Sequence, residues 1–366
     1  MQKVLVTGAS GHLGANLVRR LLEEKQTVRV LLQPGSNNAG VDGLDVERYY
    51  GDLRDPIATR GAVKGCELVY HCAAKLSTVG GGEREIFDCN VLGTRHLLDA
   101  ARAEQVRRVV VSGSFSAVGH LPDRPADETV PFYPFAGDLP YSHTKVLVEH
   151  ECLRAAVDGL DVVVATSCAI IGPNDYYPSR MGKTLLAFAH RQLRAYIPGG
   201  FEFVAARDIA AGHVLAMEKG RKGQKYIFGS GYTSVDELMN IFERVTGQPK
   251  PRLRLPPPLM MGIAKVTSPV LTHFFPHVDQ RLTPAAVRLL SMGRRADCTR
   301  ARTELGYQPT SIEDAVRAAY EDFVRRGLIR RPSTVVSMPA VSYKSSSTNG
   351  SNGANGRDSH VSSAEA

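Results

Sequence analysis

The sequence predicts an α/β fold in which a doubly wound parallel sheet is followed by a smaller, α-rich C-terminal lobe. Short strands rich in Val and Leu alternate with amphipathic helical stretches over the first half of the chain. A glycine-rich turn follows the first of these strands. After Gly172 the pattern becomes irregular and then largely helical. Such alternation is typical of β-α-β units, in which helices cover both faces of a parallel sheet.

Apolar runs and helical periodicity predict the elements of this sheet in order. Strands are predicted at Lys3–Thr7, Val28–Leu32, Glu47–Gly51, Leu68–Cys72, Val109–Ser112 and Val162–Thr166. Helices are predicted at Leu13–Glu24, Ile57–Val63, Val91–Ala103 and Ser142–Ala156. A helix at Arg207–Glu218 and a strand at Tyr226–Gly229 are expected to return to the sheet, and a last helix is predicted at Ser311–Arg326. These elements assign residues 1–171 and 203–229 to a first domain and residues 172–202 and 230–331 to the lobe.

The composition of the chain excludes several classes of protein. The chain has 366 residues, 43% of them hydrophobic, which excludes collagen-like, disulfide-scaffold and globally disordered proteins. Its six cysteines form no Cys-x-x-Cys pair and no zinc-like spacing, so reduced thiols and no metal site are expected. The N-terminus runs straight into an apolar strand, and no stretch reaches the roughly 18 uninterrupted apolar residues that span a bilayer. We therefore expect a cytoplasmic protein without a transmembrane segment.

The positive charge is concentrated in one part of the chain. Between Lys250 and Arg331 there are 15 Lys and Arg against 7 Asp and Glu, an excess equal to the net charge of +8 of the whole chain. No nucleic-acid-binding motif accompanies it, so a solvated basic surface is predicted and no nucleic-acid partner. The apolar stretch Leu255–Val278 is interpreted as a cover for a substrate pocket or as a surface in peripheral contact with a membrane. Residues 332–366, rich in Ser, Asn and Gly, predict a disordered tail.

The turn after the first strand carries the strongest local signal. Its sequence, VLVTGASGHLG, sets Gly8, Gly11 and Gly14 between a strand and an amphipathic helix. Gly8 would permit the tight turn, Gly11 the close approach of a bound group, and Gly14 the close packing of helix against strand. A glycine-rich turn in this position brings a pyrophosphate to the N-terminus of a helix. A dinucleotide site is therefore predicted here.

The spacing G-x-x-G-x-x-G, led by Thr7, resembles the short-chain dehydrogenases/reductases, and further motifs resemble their extended branch. In chain order these are GDL (51–53), HCAA (71–74), NVLGT (90–94), VVVSGSFSAVG (109–119), PYSHTK (140–145), IIGPND (170–175), ARD (206–208) and ELGYQPTSIEDAV (304–316). The resemblance covers residues 3–328, and the order of the motifs is very specific. It implies that the sheet is a Rossmann domain that binds NAD(P) and that the lobe binds the substrate.

The resemblance also assigns individual residues to the cofactor. Asp52 is placed to accept a hydrogen bond from the adenine amino group, and Lys145 would bond the nicotinamide ribose. The full set implied to contact the cofactor is Gly8, Ser10, Gly11, His12, Leu13, Gly14, Gln33, Asp52, Leu53, Ala73, Ala74, Lys75, Tyr141, Lys145, Cys168 and Ile170. Similar enzymes commonly dimerise through the helices that start near Val91 and Ser142, so a homodimer is a further expectation.

A catalytic set is predicted around Tyr141 and Lys145, which are four residues apart and so share one face of a helix. A phenol has a pKa of about 10, which is too high for a base at neutral pH. A nearby ammonium group lowers this pKa. The resemblance adds Ser114, which would hydrogen-bond the substrate oxygen, and Asn90, which would support the lysine. Ser116 faces the same way as Ser114 if the segment is extended, so it is the alternative serine.

The choice between NAD(H) and NADP(H) depends on the end of the second strand. An acidic residue in place of Leu32 would bind the 2′-hydroxyl of NAD and repel the 2′-phosphate of NADP. Related NADP enzymes often carry arginine in place of Gln33. This chain has neither signature. Since nothing acidic excludes the phosphate, NADP(H) is slightly favoured over NAD(H).

Two activities of the extended branch are disfavoured by specific residues. Dehydratases carry an acidic pair soon after the serine, whereas this chain has Phe115, Ser116 and Ala117. Sugar-nucleotide epimerases carry polar anchors in the segment that here reads TSCAIIGP (166–173), where this chain is apolar.

The predicted substrate is a small molecule with a bulky apolar or aromatic carbonyl, because aromatic and small residues fill the stretches 76–82, 131–137 and 271–277. The predicted function is an NAD(P)H-dependent ketoreductase or alcohol dehydrogenase, similar to dihydroflavonol 4-reductases and 3β-hydroxysteroid dehydrogenases. The alternatives are a sugar-nucleotide epimerase, a β-hydroxy acid dehydrogenase that decarboxylates its product, and a non-catalytic dinucleotide sensor.

Overall fold

The computed structural model describes residues 2–76, 82–132, 140–274 and 283–330, except for the side chains of Thr272 and His273. These residues belong to one compact unit, residues 1–330. The tail predicted at 332–366 lies outside the described residues.

Seven parallel strands form the central sheet. Numbered in chain order, they are β1 (Lys3–Thr7), β2 (Thr27–Leu32), β3 (Glu47–Tyr50), β4 (Leu68–His71), β5 (Arg108–Ser114), β6 (Val162–Ser167) and β10 (Lys225–Phe228). Their order across the sheet is β10-β6-β5-β4-β1-β2-β3. Central strands are buried on both faces, which is why Val and Leu dominate them. The predicted doubly wound parallel sheet is confirmed.

Helices cover both faces of the sheet. One face packs against α1 (His12–Glu23) and α7 (Ala206–Lys219). The other face packs against α2 (Pro56–Val63), α4 (Gly93–Ala103) and α5 (Pro140–Val157). A short α3 (Glu83–Phe87) leads into α4 through a π-helical turn at Asp88–Leu92.

The strand order reverses next to β1. This strand pairs with β2 on one side and with β4 on the other, so the chain leaves β3 at one edge of the sheet and crosses back before it enters β4. The connections after β1 and β4 therefore diverge and leave a crevice at the carboxyl ends of these strands. In doubly wound sheets such a crevice is where ligands bind.

The turn between β1 and α1 is closed by contacts that leave no space for side chains. Gly8 has a φ of +68°, and a Cβ there would lie 2.5 Å from the backbone nitrogen of Ala73. A Cβ on Gly14 would lie 2.1 Å from the Gly8 carbonyl oxygen. The Gly11 amide donates to the Gly8 carbonyl at 3.0 Å, and α1 begins at the next residue without a side-chain cap. The first N–H groups of α1, at the positive end of its dipole, are therefore left without a side-chain acceptor.

A second layer of short strands and helices follows β6. Its strands are β7 (Ala169–Ile171), β8 (Ala195–Tyr196), β9 (Gly200–Ala205), β11 (Gly231–Ser234) and β12 (Leu253–Arg254). Its helices are α6 (Arg180–Ala189), α8 (Val235–Thr246), α9 (Pro257–Phe274), α10 (Pro284–Ser291), α11 (Thr299–Leu305) and α12 (Ile312–Arg325). β9 lies between β7 and β11, and β8 pairs with β12. A separate apolar core forms around Phe188, Phe242 and Phe323.

Two helical stretches differ from the sequence prediction. The helix predicted to start at Val91 starts at Glu83, where acidic side chains favour the first turn, and the π-helical turn then shifts the phase of its apolar residues. The chain after Gly172, predicted to be irregular, contains α6. Ser179 caps this helix by accepting a hydrogen bond from the Gly182 amide at 3.1 Å.

One helix of the second layer presents an apolar stripe to solvent. The stripe follows one face of α9, its side chains are between 39% and 69% exposed, and its members are Leu259, Ile263, Val266, Val270 and Phe274. Ala264 of the same helix is fully buried. No described helix combines the length and the apolar character needed to cross a membrane. We call these five residues the α9 stripe.

Gly14→Ala is expected to lower the free energy of unfolding by about 3 kcal/mol, because its methyl group would collide with the Gly8 carbonyl and with Cα of Ala9. Gly262→Ala in α9 is the matched control, since a Cβ there meets nothing within 4 Å and should gain about 1 kcal/mol of helix propensity. Urea unfolding followed by circular dichroism measures both. Equal effects of the two substitutions would contradict the close approach at Gly14.

Candidate functional site

A cavity of about 430 Å³ lies at the crevice between the carboxyl ends of β1 and β4. Of the residues assigned to the cofactor from the sequence, those that line it are Gly8, Ser10, Gly11, Gln33, Asp52, Leu53, Ala73, Ala74 and Lys75. The N-terminus of α1 supplies N–H groups without a side-chain cap beside this wall, and the absence of a side chain at Gly8 lets the turn approach the backbone of Ala73. These features fit a dinucleotide whose pyrophosphate lies at the glycine turn.

A charged cluster occupies the outer end of the cavity. Nη2 of Arg54 donates to the Asp52 carboxylate at 2.6 Å, and the Gln33 amide donates to it at 3.2 Å. The Arg54 guanidinium holds the pKa of Asp52 below its usual value. The Leu32 side chain is buried in the core. Sequence reasoning missed Arg54, although it directly follows the GDL motif.

Several residues assigned to the cofactor do not line this cavity. Nε2 of His12 donates to the backbone carbonyls of Gly172 and Pro173 at 3.2 and 3.1 Å, so this side chain ties α1 to the chain after β7. For all the assigned residues outside the cavity lining, contact with the cofactor stays a prediction. They are His12, Leu13, Gly14, Tyr141, Lys145, Cys168 and Ile170.

Ser114 and Tyr141 meet at the end of β5. Ser114 is the last residue of this strand, and Tyr141 lies in the first turn of α5. Burial raises the pKa of Tyr141, and the neighbouring Ser114 hydroxyl opposes the rise. The next residues form a 3-10 turn instead of the extended segment on which the alternative serine depended. Even so, the Ser116 hydroxyl lies 2.8 Å from that of Ser114.

Lys145 lies one turn after Tyr141 on α5 and is only 4% exposed. Its Nζ donates to the Ser112 carbonyl at 2.6 Å, and burial lowers the pKa of its ammonium. Within the described residues no carboxylate pairs with it. The Ser112 hydroxyl in turn contacts His213 on α7, and sequence reasoning missed this contact.

Asn90, predicted to support the lysine, is fully buried in the π-helical turn. Its Oδ1 accepts from the Lys75 amide at 2.7 Å, while its Nδ2 donates to the Lys75 carbonyl at 3.0 Å and to the Thr144 hydroxyl at 3.1 Å. Asn90 therefore fixes the backbone of Lys75 in the cavity wall. It reaches α5 through Thr144, the neighbour of Lys145.

A chain of hydrogen bonds that sequence reasoning missed joins β1, β4 and α4. The Thr7 hydroxyl lies 2.7 Å from Nδ1 of His71, Nε2 of His71 lies 2.9 Å from the Thr94 hydroxyl, and Thr94 donates to the Asn90 carbonyl at 2.5 Å. Because a carbonyl only accepts, Nε2–H of His71 must donate to Thr94, and Nδ1 must accept from Thr7. Burial lowers the pKa of His71 to about 3, which keeps the ring neutral.

Arg294 holds the loop that follows β5. Its Nη2 donates to the backbone carbonyls of Phe115, Val118 and Gly119, and its guanidinium lies 4.7 Å from the centre of the Phe115 ring. The connection between α10 and α11 is thereby tied to the loop that begins at Ser114.

The stretches predicted to face the substrate fall largely outside the described residues. This applies to 77–81, 133–137 and 275–277. Phe132, which is described, makes an edge-to-face contact with His143 of α5, with the ring centres 6.0 Å apart.

Comparison with known proteins matches residues 4–229 to the model of the NAD dependent epimerase/dehydratase family. The chain belongs to this family. It is 45% identical over 325 residues to sterol demethylase protein B of Methylococcus capsulatus, which covers 89% of this chain and 99% of that protein. It is 32% identical to a putative dihydroflavonol 4-reductase of Synechocystis, over 89% of this chain and 95% of that protein. Among solved structures, gox2253 is 29% identical with a TM-score of 0.79, covering 90% of this chain and 100% of that one.

The resemblance to extended short-chain dehydrogenases/reductases is thus confirmed. The protein is an enzyme of the NAD(P)-dependent oxidoreductase class, and its central sheet is a Rossmann domain. The cavity at the strand-order reversal and the Ser114–Tyr141 pair lie at the same carboxyl edge of this sheet.

Thr94→Val is expected to lower the free energy of unfolding by about 2 kcal/mol, because it leaves Nε2–H of buried His71 without an acceptor. Thr94→Ser is the matched control, which keeps the hydroxyl and should cost only about 1 kcal/mol for the lost methyl group. Urea unfolding gives both values, and ¹⁵N spectra of the imidazoles identify the tautomer of His71. A Thr94→Val variant as stable as the wild type would contradict the oriented chain.

Proposed function

We propose that this enzyme is an NAD(P)H-dependent ketoreductase or alcohol dehydrogenase that acts on a bulky apolar carbonyl or alcohol of sterol type. The observation that carries the proposal is that Ser114 and Tyr141 are neighbours at the carboxyl end of β5, with the buried Lys145 ammonium one turn along the same helix as Tyr141. The identity with sterol demethylase protein B over nearly the full chain supports a sterol-like substrate. The likeness to a putative dihydroflavonol 4-reductase supports carbonyl chemistry.

Ser114 at the end of β5 and Tyr141 beside it have different roles in the proposed reaction. A bound nicotinamide supplies or removes the hydride at the substrate carbon. Tyr141 moves the proton at the substrate oxygen, as the donor in reduction and, ionised, as the acceptor in oxidation. Ser114 donates a hydrogen bond to the same oxygen and stabilises negative charge there. Because burial raises the pKa of Tyr141, the charge of Lys145 has to lower it for oxidation near neutral pH.

The loop after Ser114 favours simple oxidation or reduction over dehydration. Phe115 and Ala117 are buried and apolar, so the positions where an acid/base pair would stand hold core side chains. The Phe115 ring is also covered by Arg294. Elimination of water needs groups that remove one proton and return another, and this loop provides neither.

A decarboxylating oxidation is the second candidate, and the name of the sterol demethylase relative favours it. Oxidation of a hydroxyl group β to a carboxylate would transfer a hydride from carbon to the oxidised cofactor and the hydroxyl proton to Tyr141, and would give a β-keto acid. The carboxylate then leaves as CO₂, its bonding electrons form an enolate, and the enolate takes up a proton. The same Ser114, Tyr141 and Lys145 would serve the first step.

We further propose that NADP(H) is preferred over NAD(H). Arg54 places a guanidinium at the outer end of the cavity, where Gln33 is exposed, and it already neutralises the Asp52 carboxylate. A 2′-phosphate at this end would meet a neutral Asp52–Arg54 ion pair instead of an unpaired acid.

Tyr141→Phe is expected to lower kcat about a hundredfold or more with a sterol ketone and NADPH, because the proton donor is lost, while NADPH still binds. Nicotinamide absorbance measures turnover, and nicotinamide fluorescence measures binding. Tyr50→Phe, at an exposed residue of β3, is the matched control and should retain full activity. Retained turnover in Tyr141→Phe would overturn the mechanism, and faster turnover with NADH than with NADPH would overturn the cofactor preference.

Parallel assays distinguish the other activities. Release of CO₂ with a β-hydroxy acid sterol and the oxidised cofactor would establish the decarboxylating reaction. Epimerised UDP-hexose with copurified NAD and no net oxidation would replace the proposal with an epimerase. Binding of the cofactor with none of these activities would favour a dinucleotide sensor.

We also propose that the α9 stripe rests on an anionic membrane surface. The chain around it carries positive charge only, since Lys250, Arg252, Arg254 and Lys265 occur between residues 250 and 274 and no Asp or Glu does. An exposed apolar helix face with a basic flank lies in the plane of a lipid interface. Sterol-type substrates partition into bilayers, so this contact would bring the enzyme to its substrate.

Val266→Asp is expected to abolish co-sedimentation of the full chain with vesicles of phosphatidylcholine and phosphatidylglycerol, because it sets an anion in the middle of the α9 stripe. Ile57→Asp, at a residue of α2 that is 83% exposed, is the matched control and should bind like the wild type. Absence of wild-type binding, or an equal loss in both variants, would contradict the membrane contact.

A homodimer through α4 and α5 remains a proposal. Leu147, Leu153 and Val157 are apolar residues of α5 that are exposed in the single chain, and a second copy would cover such a surface. Sedimentation velocity of the full chain measures the oligomeric state directly.

A further inference from the structure

Lys145 is connected to a buried histidine that the proposed chemistry does not use. Its Nζ donates to the Ser112 carbonyl at 2.6 Å, and the Ser112 hydroxyl lies 2.7 Å from Nε2 of His213. His213 is fully buried on α7, and its Nδ1 lies 2.8 Å from the carbonyl oxygen of Ile209, one helical turn earlier. Three hydrogen bonds therefore run from α7, across the end of β5, to Lys145.

The chemistry of the partners fixes the direction of these bonds. The Ile209 carbonyl can only accept, so Nδ1 of His213 carries the proton. Burial lowers the pKa of His213 to about 4, and the nearby charge of Lys145 contributes, so the ring is neutral at physiological pH. Its unprotonated Nε2 then accepts from the Ser112 hydroxyl. The backbone of α7 thus selects the one tautomer that can hold Ser112.

The end of β5 is held by strand pairing on one side only. The ladder between β4 and β5 ends at His71 and Val111, whereas β5 stays paired with β6 as far as Ser114. Gly113 cannot contribute a side-chain anchor, because a Cβ there would lie 2.5 Å from the Thr166 hydroxyl oxygen. The Ser112 side chain is therefore the anchor that ties this stretch to α7.

We propose that His213 is a positioning residue for Lys145 and acts through Ser112. By holding the Ser112 side chain, His213 fixes the Ser112 carbonyl that accepts the hydrogen bond from the Lys145 ammonium. It also restricts the position of Ser114, two residues further along the strand. What the position requires is a neutral hydrogen-bond acceptor on a rigid helix, which the Nδ1–H tautomer supplies. The proposal rests on the function proposed for Tyr141 and Lys145.

Two substitutions of His213 distinguish the effect of its hydrogen-bond acceptor from the effect of the volume of its ring. His213→Leu fills similar space without an acceptor, while His213→Gln can place an amide oxygen near the position of Nε2. With His213→Leu we expect kcat for oxidation of a sterol alcohol to fall about ten- to hundredfold while the substrate KM changes less than about twofold. His213→Gln should restore most of kcat.

The pH profile of oxidation provides a readout that a merely structural role would not move. Oxidation needs the ionised phenol of Tyr141, so a displaced Lys145 ammonium should raise the apparent pKa of the profile in His213→Leu but not in His213→Gln. Cys72, Cys152 and Glu149 also lie near Lys145 and are unchanged in both variants.

Met217→Ala, one turn further along α7 in the same core, controls for a loosened helix. It should lower the melting temperature without moving the pH profile. Hydrogen exchange of residues 110–118, measured by mass spectrometry, needs no turnover and should accelerate in His213→Leu but not in His213→Gln.

The outcomes separate the two proposals. If the wild type turns over neither ketone nor alcohol, the proposed function fails, and hydrogen exchange still decides whether His213 holds the end of β5. Unchanged exchange in His213→Leu overturns the positioning role. So does an equal loss of kcat in His213→Gln and His213→Leu, or a shift of the same apparent pKa in Met217→Ala.

Discussion

The backbone of Gly8 approaches the backbone of Ala73 so closely that no side chain fits between the turn after β1 and the segment after β4. This approach sets the N-terminus of α1 over the carboxyl end of the sheet and holds the chain after β4 against it. From the same two strands the hydrogen bonds of Thr7 and His71 continue to Thr94 and the π-helical turn. The backbone contact therefore places the wall of the cavity, and the hydrogen bonds from the same two strands place the start of α4.

The charges of the site are distributed according to depth. At the outer end, Asp52 and Arg54 are partly solvated and neutralise each other. Deeper inside, the histidines are neutral, and Lys145 is a cation whose hydrogen bond goes to a carbonyl. Burying a cation without an anion is costly, and the reaction proposed above would create negative charge nearby. An ionised Tyr141 or a developing alkoxide is such a charge.

The sequence predicted the central sheet well because parallel strands that are buried on both faces are continuous apolar runs. Such runs can be recognised without knowing which strands pair with each other. The predicted strand at Leu68–Cys72, for example, differs from β4 by a single residue at its end. The two-residue strands β8 and β12 leave no such pattern, and the π-helical turn interrupts the helical period. Motifs predicted the wall of the cavity and the Ser114–Tyr141 pair, while the roles of these residues stay proposals. The contact of Ser112 with His213 joins residues 101 positions apart, and nothing local marks it.

The contacts of Arg294 with the loop after β5 limit how segments of this protein can be exchanged with those of its relatives. The guanidinium bonds three carbonyls of a loop that lies more than 170 positions earlier in the chain and also stacks on its phenylalanine. A parallel bridge between Ala126 and Ala296 joins the same two regions. The C-terminal half therefore cannot be exchanged on its own between related proteins. A chimera assembled from two relatives would have to inherit Arg294 and the Phe115–Gly119 loop from the same parent, because the segment that carries Ser114 is shaped by both.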